Sequence, residues 1–180
     1  AARTRTKHRS TSLFAHWHTR LDRNMDLPVA RRLKPHIRKA RLNDLERVTE
    51  IEWSMFNSDQ LSRQSLRRYM QVPSAAMIVA EDDKKIIGYA LIGLRKGSKI
   101  GRLYSIAVDK ACGKRGVGRA LLAASEQVAK KRKCTLFALE VRADNHRAIK
   151  LYQKNSYRLT GREKNWYEDG GAALKFEKAL

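Results

Sequence analysis

Between Arg102 and Val141 the chain runs through an apolar segment, a glycine-bearing loop, an amphipathic stretch and a second apolar segment, an order that few folds accommodate. The first segment, Arg102 to Asp109, ends Ile106-Ala107-Val108-Asp109 and has strand character. From Val117, apolar residues at Val117, Ala120, Leu121, Ala124 and Val128 fall along one helical face, and the basic run Lys130 to Lys133 closes that helix at its C-terminus. Thr135 to Val141 is almost continuously apolar, which predicts a strand buried on both faces with a parallel neighbour reached across the helix. Together they make a βαβ unit.

The flanking segments predict a mixed α/β domain. His36 to Ala40 reads as a short strand, Asn43 as the N-cap of a helix carrying Leu45, Val48, Ile51 and Met55, and Ser62 to Gln71 as a second helix. Ala75 to Glu81 and Ile86 to Leu94 form a hairpin about Asp82-Asp83-Lys84-Lys85. A helix over Asn145 to Asn155, a strand over Tyr157 to Arg162 and a final strand over Ala173 to Lys178 complete the chain, with no internal repeat.

The 180 residues suit one domain, residues 36–180, preceded by an arm, residues 1–35. Nine Lys or Arg against two acids give that arm +7 of the total +21, leaving +14 on the body. Such an excess of cations points to a polyanionic partner. The Arg-, Ser- and Thr-rich start also has the composition of a transit peptide, but basic arms of cytosolic proteins look the same, and a cytoplasmic location is the expectation. No run reaches the roughly 20 apolar residues of a membrane span. Cys112 and Cys134 are too few for a disulfide framework or a zinc site, and His16 and His18 lack a third ligand, so no metal is expected.

The loop is where a ligand would bind. Gly113, Gly116 and Gly118 let backbone N–H groups converge at a helix N-terminus, and Lys114, Arg115 and Arg119 add cations there, which suits a phosphate-bearing molecule; the alternative is a flexible, solvated turn. No Gly-Lys-Ser/Thr follows, so it is not a Walker loop, nor does the spacing match a dinucleotide fingerprint. Glu140 interrupts an apolar strand, where desolvation would make a general base of it unless Arg142 or Lys150 pairs with it. Tyr152 sits on the inner face of its helix, as a core tyrosine or a catalytic one, and Asn145 stands at an N-cap position.

The segment through Gly116-Val117-Gly118-Arg119-Ala120 resembles the acetyl-CoA loop of the GNAT acetyltransferases, with Gly113 where that family usually has Arg or Gln. Leu139-Glu140-Val141-Arg142-Ala143, Leu151-Tyr152 and the aromatic pair Trp166-Tyr167 are most similar to ribosomal-protein-alanine N-acetyltransferases, over roughly Ile37 to Leu180. The resemblance implies a mixed, mostly antiparallel sheet with a central βαβ unit flanked by helices. It implies acetyl-CoA as acetyl donor, bound by residues 113–120, by backbone near Ile106 and Val108, and by Asn145. It also implies Tyr152 as the acid that protonates the departing thiolate, and an acceptor site between Met55 and Met70 and near Trp166 and Tyr167. The expected acceptor is a protein N-terminal amine, that of a ribosomal protein, with the basic arm touching RNA. Two alternatives stand: an acetyltransferase of lysine, polyamine or another small amine, and a non-catalytic nucleic-acid-binding module of the same fold, for which no RNA-recognition signature is present. The oligomeric state is not legible.

Overall fold

The computed structural model describes residues 34–56, 59–112 and 115–180. Nearly all of the basic arm, and Gly113 and Lys114 of the loop, lie outside the described residues. In chain order the elements are β1 (His36–Lys39), a 3₁₀ turn (Leu42–Asp44), α1 (Leu45–Met55), α2 (Arg63–Gln71), β2 (Ala75–Asp82), β3 (Lys85–Gly93), β4 (Ile100–Val108), a second 3₁₀ turn (Lys110–Cys112), α3 (Val117–Lys131), β5 (Leu136–Arg142), α4 (His146–Lys154), β6 (Arg158–Glu163) and β7 (Ala173–Ala179). The strands form one seven-stranded sheet ordered β1-β2-β3-β4-β5-β7-β6. Every pairing is antiparallel except β4 with β5, the parallel pair that the βαβ pattern predicts.

Alternation along the strands sorts apolar side chains to the two faces. Ile78, Ala80, Ile92 and Leu103 meet Val117, Leu121 and Leu122 of α3 on one face, together with Phe137, Leu139, Tyr152 and Phe176. Met77, Val79, Tyr89 and Leu91 meet Leu45, Val48 and Ile51 of α1 and Leu66 of α2 on the other. Two cores therefore clamp a central sheet, and removing a side chain such as Leu121, fully buried, would cost about 2–5 kcal/mol.

The hairpin forms where expected, and Asp83 and Lys84 take φ of 46° and 62°, the left-handed pair whose twist matches two antiparallel strands. Ser62 caps α2, its hydroxyl accepting from Ser65 N–H at 3.1 Å. One cap differs from expectation. Asn43 lies inside the first 3₁₀ turn, and Asp44 accepts the Arg41 N–H at 2.7 Å instead. Asp44 is drawn inward by Arg38, whose guanidinium grips its carboxylate at 2.7 and 3.0 Å and holds it below the usual carboxylate range.

Candidate active site

The parallel pair β4–β5 is short. It runs from Ile100 opposite Leu136 to Leu103 opposite Leu139, and beyond that the strands part, while β4 stays paired with β3 as far as Val108 and β5 with β7 as far as Arg142. The edge of β4 from Tyr104 to Val108 that faces β5 thus has no strand partner, and its polar backbone groups are available to a ligand. Register on the β3 side skips Tyr104, since Leu91 pairs with Ser105 and Ile92 with Leu103, so β4 bulges at the mouth of the opening. The Tyr104 ring lies over Gly93, where any Cβ would stand 2.4 Å from it.

The opening is a cleft of about 290 Å³ whose walls include Ile106, Glu140, Asn145, Tyr152, Trp166 and Tyr167, six of the residues singled out from the sequence. Glu140 stands on β5 and is not isolated: it is ion-paired with Arg102 of the neighbouring β4, where the sequence offered Arg142 or Lys150 as partners. Tyr152, 4% exposed, packs its ring on Tyr157 and Phe176 at 5.7 and 6.1 Å. Burial pushes its hydroxyl well above the ordinary phenol value, so the phenol stays protonated, and among the described residues that hydroxyl makes no hydrogen bond. Asn145 is the N-cap of α4, its Oδ1 accepting the Ala148 N–H at 3.1 Å.

Gly116 stands at the N-cap of α3 in the left-handed region, φ 89°, and among the described residues no side chain caps the helix. The first-turn N–H groups of Val117, Gly118 and Arg119 are left for another acceptor, at the positive end of the helix dipole. A Cβ on Gly118 would make ordinary contacts with Leu151 and Val108 at 3.7 and 3.8 Å, so the start of α3 packs beside β4 and α4. Val117 is buried in the core, whereas Arg119 is exposed. Arg115 does not crowd the same point as expected: its Nε donates to Cys112 O at 2.7 Å, so it ties the loop to itself. Helix-start donors and an unpaired strand edge suit an extended, phosphate-bearing ligand.

Sequence reasoning missed two features of this cleft. Glu52 of α1, 1% exposed, accepts from Leu61 N–H at 2.8 Å and from the Tyr89 hydroxyl, which also lies 2.8 Å from Ser105 Oγ. Burial raises its carboxyl above the usual range, against the pull of those hydrogen bonds, and burial together with the Glu52 charge also raises the Tyr89 hydroxyl. Its signal was present: Glu52 follows Val48 by four and Ile51 by one, on the apolar stripe of α1. The second is the bridging role of Arg142, named from the sequence only as a partner for Glu140 and a member of its strand segment: its Nη1 reaches Asp59 of the α1–α2 loop at 3.1 Å and its Nη2 reaches Asp169 of the β6–β7 loop at 2.5 Å. Its guanidinium also lies 4.5 Å from the Tyr167 ring. One side chain thereby joins both loops that frame the cleft.

Residues 44–157 match the model of the acetyltransferase (GNAT) family. The chain belongs to the GNAT acetyltransferases. This GNAT chain is 30% identical over 138 residues to a Bacillus subtilis (strain 168) protein named as a candidate ribosomal-protein-bS18-alanine N-acetyltransferase, covering 77% of this chain and 90% of that one. It is 29% identical over 137 residues to the N-alpha-acetyltransferase RimI of Mycobacterium tuberculosis, covering 72% and 82%. The crystal structure of the ribosomal-protein-S18-alanine N-acetyltransferase from Escherichia coli superposes with a TM-score of 0.72 at 25% identity, over 81% of this chain and 93% of that one. The GNAT chain is accordingly an N-acetyltransferase with the expected mixed α/β fold. Among the described residues no helix is long and apolar enough to cross a membrane, and no His, Cys, Asp and Glu cluster is placed to hold a metal.

Proposed function

We propose that the protein transfers acetyl from acetyl-CoA to the N-terminal α-amine of a protein, in the manner of the ribosomal-protein-alanine enzymes it is similar to. The observation that carries this reading is the convergence of Glu140, Tyr152 and the unpaired β4 edge in one cleft beside the open start of α3. The donor supplies an acyl group activated as a thioester. Its phosphates lie against the N–H groups of residues 117–119 and its pantetheine along β4 near Ile106 and Val108, with the Asn145 amide nitrogen in reach. Glu140 is ion-paired with Arg102 through Oε1, so it is not the lone desolvated carboxylate that the strand pattern suggests, and it takes the proton that the amine must lose before it attacks on its other oxygen, Oε2. Backbone N–H groups of the β4 edge meet the negative charge that develops on the carbonyl oxygen. Tyr152, kept protonated by burial, gives its proton to sulfur as the C–S bond breaks, because a phenol is too weak an acid to protonate a free thiolate on its own.

The Arg142 bridge favours a chain end over an internal lysine as acceptor. With Asp59 and Asp169 drawn together across the mouth, a free end enters between the loops, whereas a lysine within a folded chain needs an open groove on both sides. Trp166 and Tyr167 then flank the first acceptor residues. The basic arm acts as an RNA tether outside the domain, and the enzyme works in the cytoplasm. The test is acetyl-CoA turnover with peptides that begin with Ala and lack Lys, N-terminally blocked lysine peptides, and polyamines. Turnover of the free α-amine is expected, and turnover confined to lysine side chains or polyamines would refute the assignment.

A further inference from the structure

Acidic residues are unevenly spread over this fold. Glu52, Asp59, Glu140, Asp144, Glu168 and Asp169 stand on the cleft or on the segments that frame it. Residues 60–80, 84–108 and 127–139 contain no acid, so the β3–β4 loop and the turn between α3 and β5 carry none. Lys99 O accepts Thr135 N–H at 2.8 Å and Leu136 N–H at 3.1 Å, which fastens the β3–β4 loop beside the turn between α3 and β5. Arg95, Lys96 and Lys99 are thereby set next to Lys130, Lys131 and Lys133, all six exposed and none in an ion pair among the described residues. Arg132 draws in the α2–β2 turn, donating to Pro73 O at 3.4 Å. The last carboxylate of α3, Glu126, turns inward to Tyr157 and Lys178 and so does not pair with these cations.

A helix-end explanation covers only part of this. Cations in the last turn of α3 gain about 0.3–1 kcal/mol each from the dipole, but half of the six sit on a loop of another element, where no helix end stabilises them. An acidic protein or a bilayer would be expected to bury apolar side chains as well. Ile100 is the one large exposed apolar residue among these positions, so the patch offers charge with little apolar surface. The patch also lies the length of the 15-residue α3, about 22 Å, from the start of that helix beside the cleft.

We propose that the β3–β4 loop and the C-terminal turn of α3 form an RNA phosphate-docking surface, which holds a nucleic-acid backbone while the acid-lined cleft faces away from it. This surface belongs to the folded body and is separate from the basic arm, and its chemistry does not depend on which amine is acetylated.

The test uses the full chain with Arg95, Lys96, Lys99, Lys130, Lys131 and Lys133 changed to Gln. A control of equal charge loss changes Lys84, Lys85, Lys154, Arg158, Arg162 and Lys164 to Gln. Binding of a mixed-sequence RNA hairpin is measured by fluorescence anisotropy across salt concentrations, beside polyglutamate and phosphatidylserine vesicles. The patch variant is expected to bind RNA about tenfold or more weakly at 0.1 M salt, with a log Kd against log salt slope reduced by about 0.7–0.9 for each phosphate no longer neutralised. The control should keep most of the affinity, and both variants should acetylate a free peptide at the parent rate, which shows that they are folded. RNA affinity of the patch variant within about twofold of the parent overturns the proposal, because leaving even two phosphates without a cation would exceed that. So does equal weakening by the control, which would assign the effect to net charge, or a patch dependence seen with polyglutamate or vesicles but not with RNA.

Discussion

Replacement of Glu52 tests how the cleft is held together. Glu52→Ala strips the Leu61 N–H, 2.8 Å away, of its acceptor in the α1–α2 loop, whereas Tyr89 keeps Ser105 at 2.8 Å. One orphaned buried donor costs about 1–3 kcal/mol. The space left by a side chain 1% exposed adds to this, and relief from burying a carboxylate subtracts, so a loss of about 2–3 kcal/mol is expected. Glu52→Gln keeps an oxygen for Leu61 and presents an amide to two hydroxyl oxygens that can accept, so it should cost about 1 kcal/mol or less at neutral pH. The pH dependence separates the two. Because the folded carboxyl holds its proton more tightly than the unfolded one, Glu52 contributes stability that is complete below about pH 4.3 and lost as pH rises through its elevated folded value. Urea unfolding of the parent should therefore show a decline over that window that Glu52→Gln lacks. A Glu52→Ala loss under about 0.5 kcal/mol, or identical pH profiles for the parent and Glu52→Gln, would refute the reasoning.

Three further outcomes follow from the same geometry. Arg142→Gln unlinks Asp59 from Asp169 and should raise the peptide KM several-fold more than it lowers kcat, read from steady-state kinetics. The double variant Arg115→Glu, Arg119→Glu should weaken CoA binding by calorimetry, Arg115 by loosening the loop it ties to Cys112 and Arg119 by opposing the phosphates; unchanged affinity would remove the phosphate from this loop. A chain beginning at Pro35 should keep its turnover of a short peptide while losing part of its salt-sensitive RNA binding, and RNA binding as tight as that of the full chain would leave the arm without the tether role.

The β4–α3–β5 unit was legible because its signals are local: an apolar run, a glycine break, a helical stripe and a second apolar run fix their own elements whatever surrounds them. The hairpin at Asp83 and Lys84 was legible for the same reason. What depended on distant residues was not. The insertion of β7 between β5 and β6 is a pairing across the sheet that no local period reports. The Glu140 partner is Arg102, 38 positions away on a neighbouring strand, and nearer cations were the natural guess. Asn43 is not the cap because a 3₁₀ turn precedes α1 and moves the N-cap position to Asp44, whose carboxylate Arg38 holds. Glu52 was passed over because the apolar members of its stripe sufficed to place the helix, and its burial became visible only once Tyr89 and Leu61 closed over it.

The most direct test of the account is the turnover of an Ala-initiated peptide with acetyl-CoA by the parent, Glu140→Gln and Tyr152→Phe, with the acetyl group located by mass spectrometry and CoA affinity measured alongside. The account predicts acetyl on the α-nitrogen, a kcat reduced about 10²–10⁴-fold in each variant, and CoA affinity close to that of the parent. A kcat within a few-fold of the parent in both variants, or acetyl on a lysine side chain instead of the α-nitrogen, would contradict it.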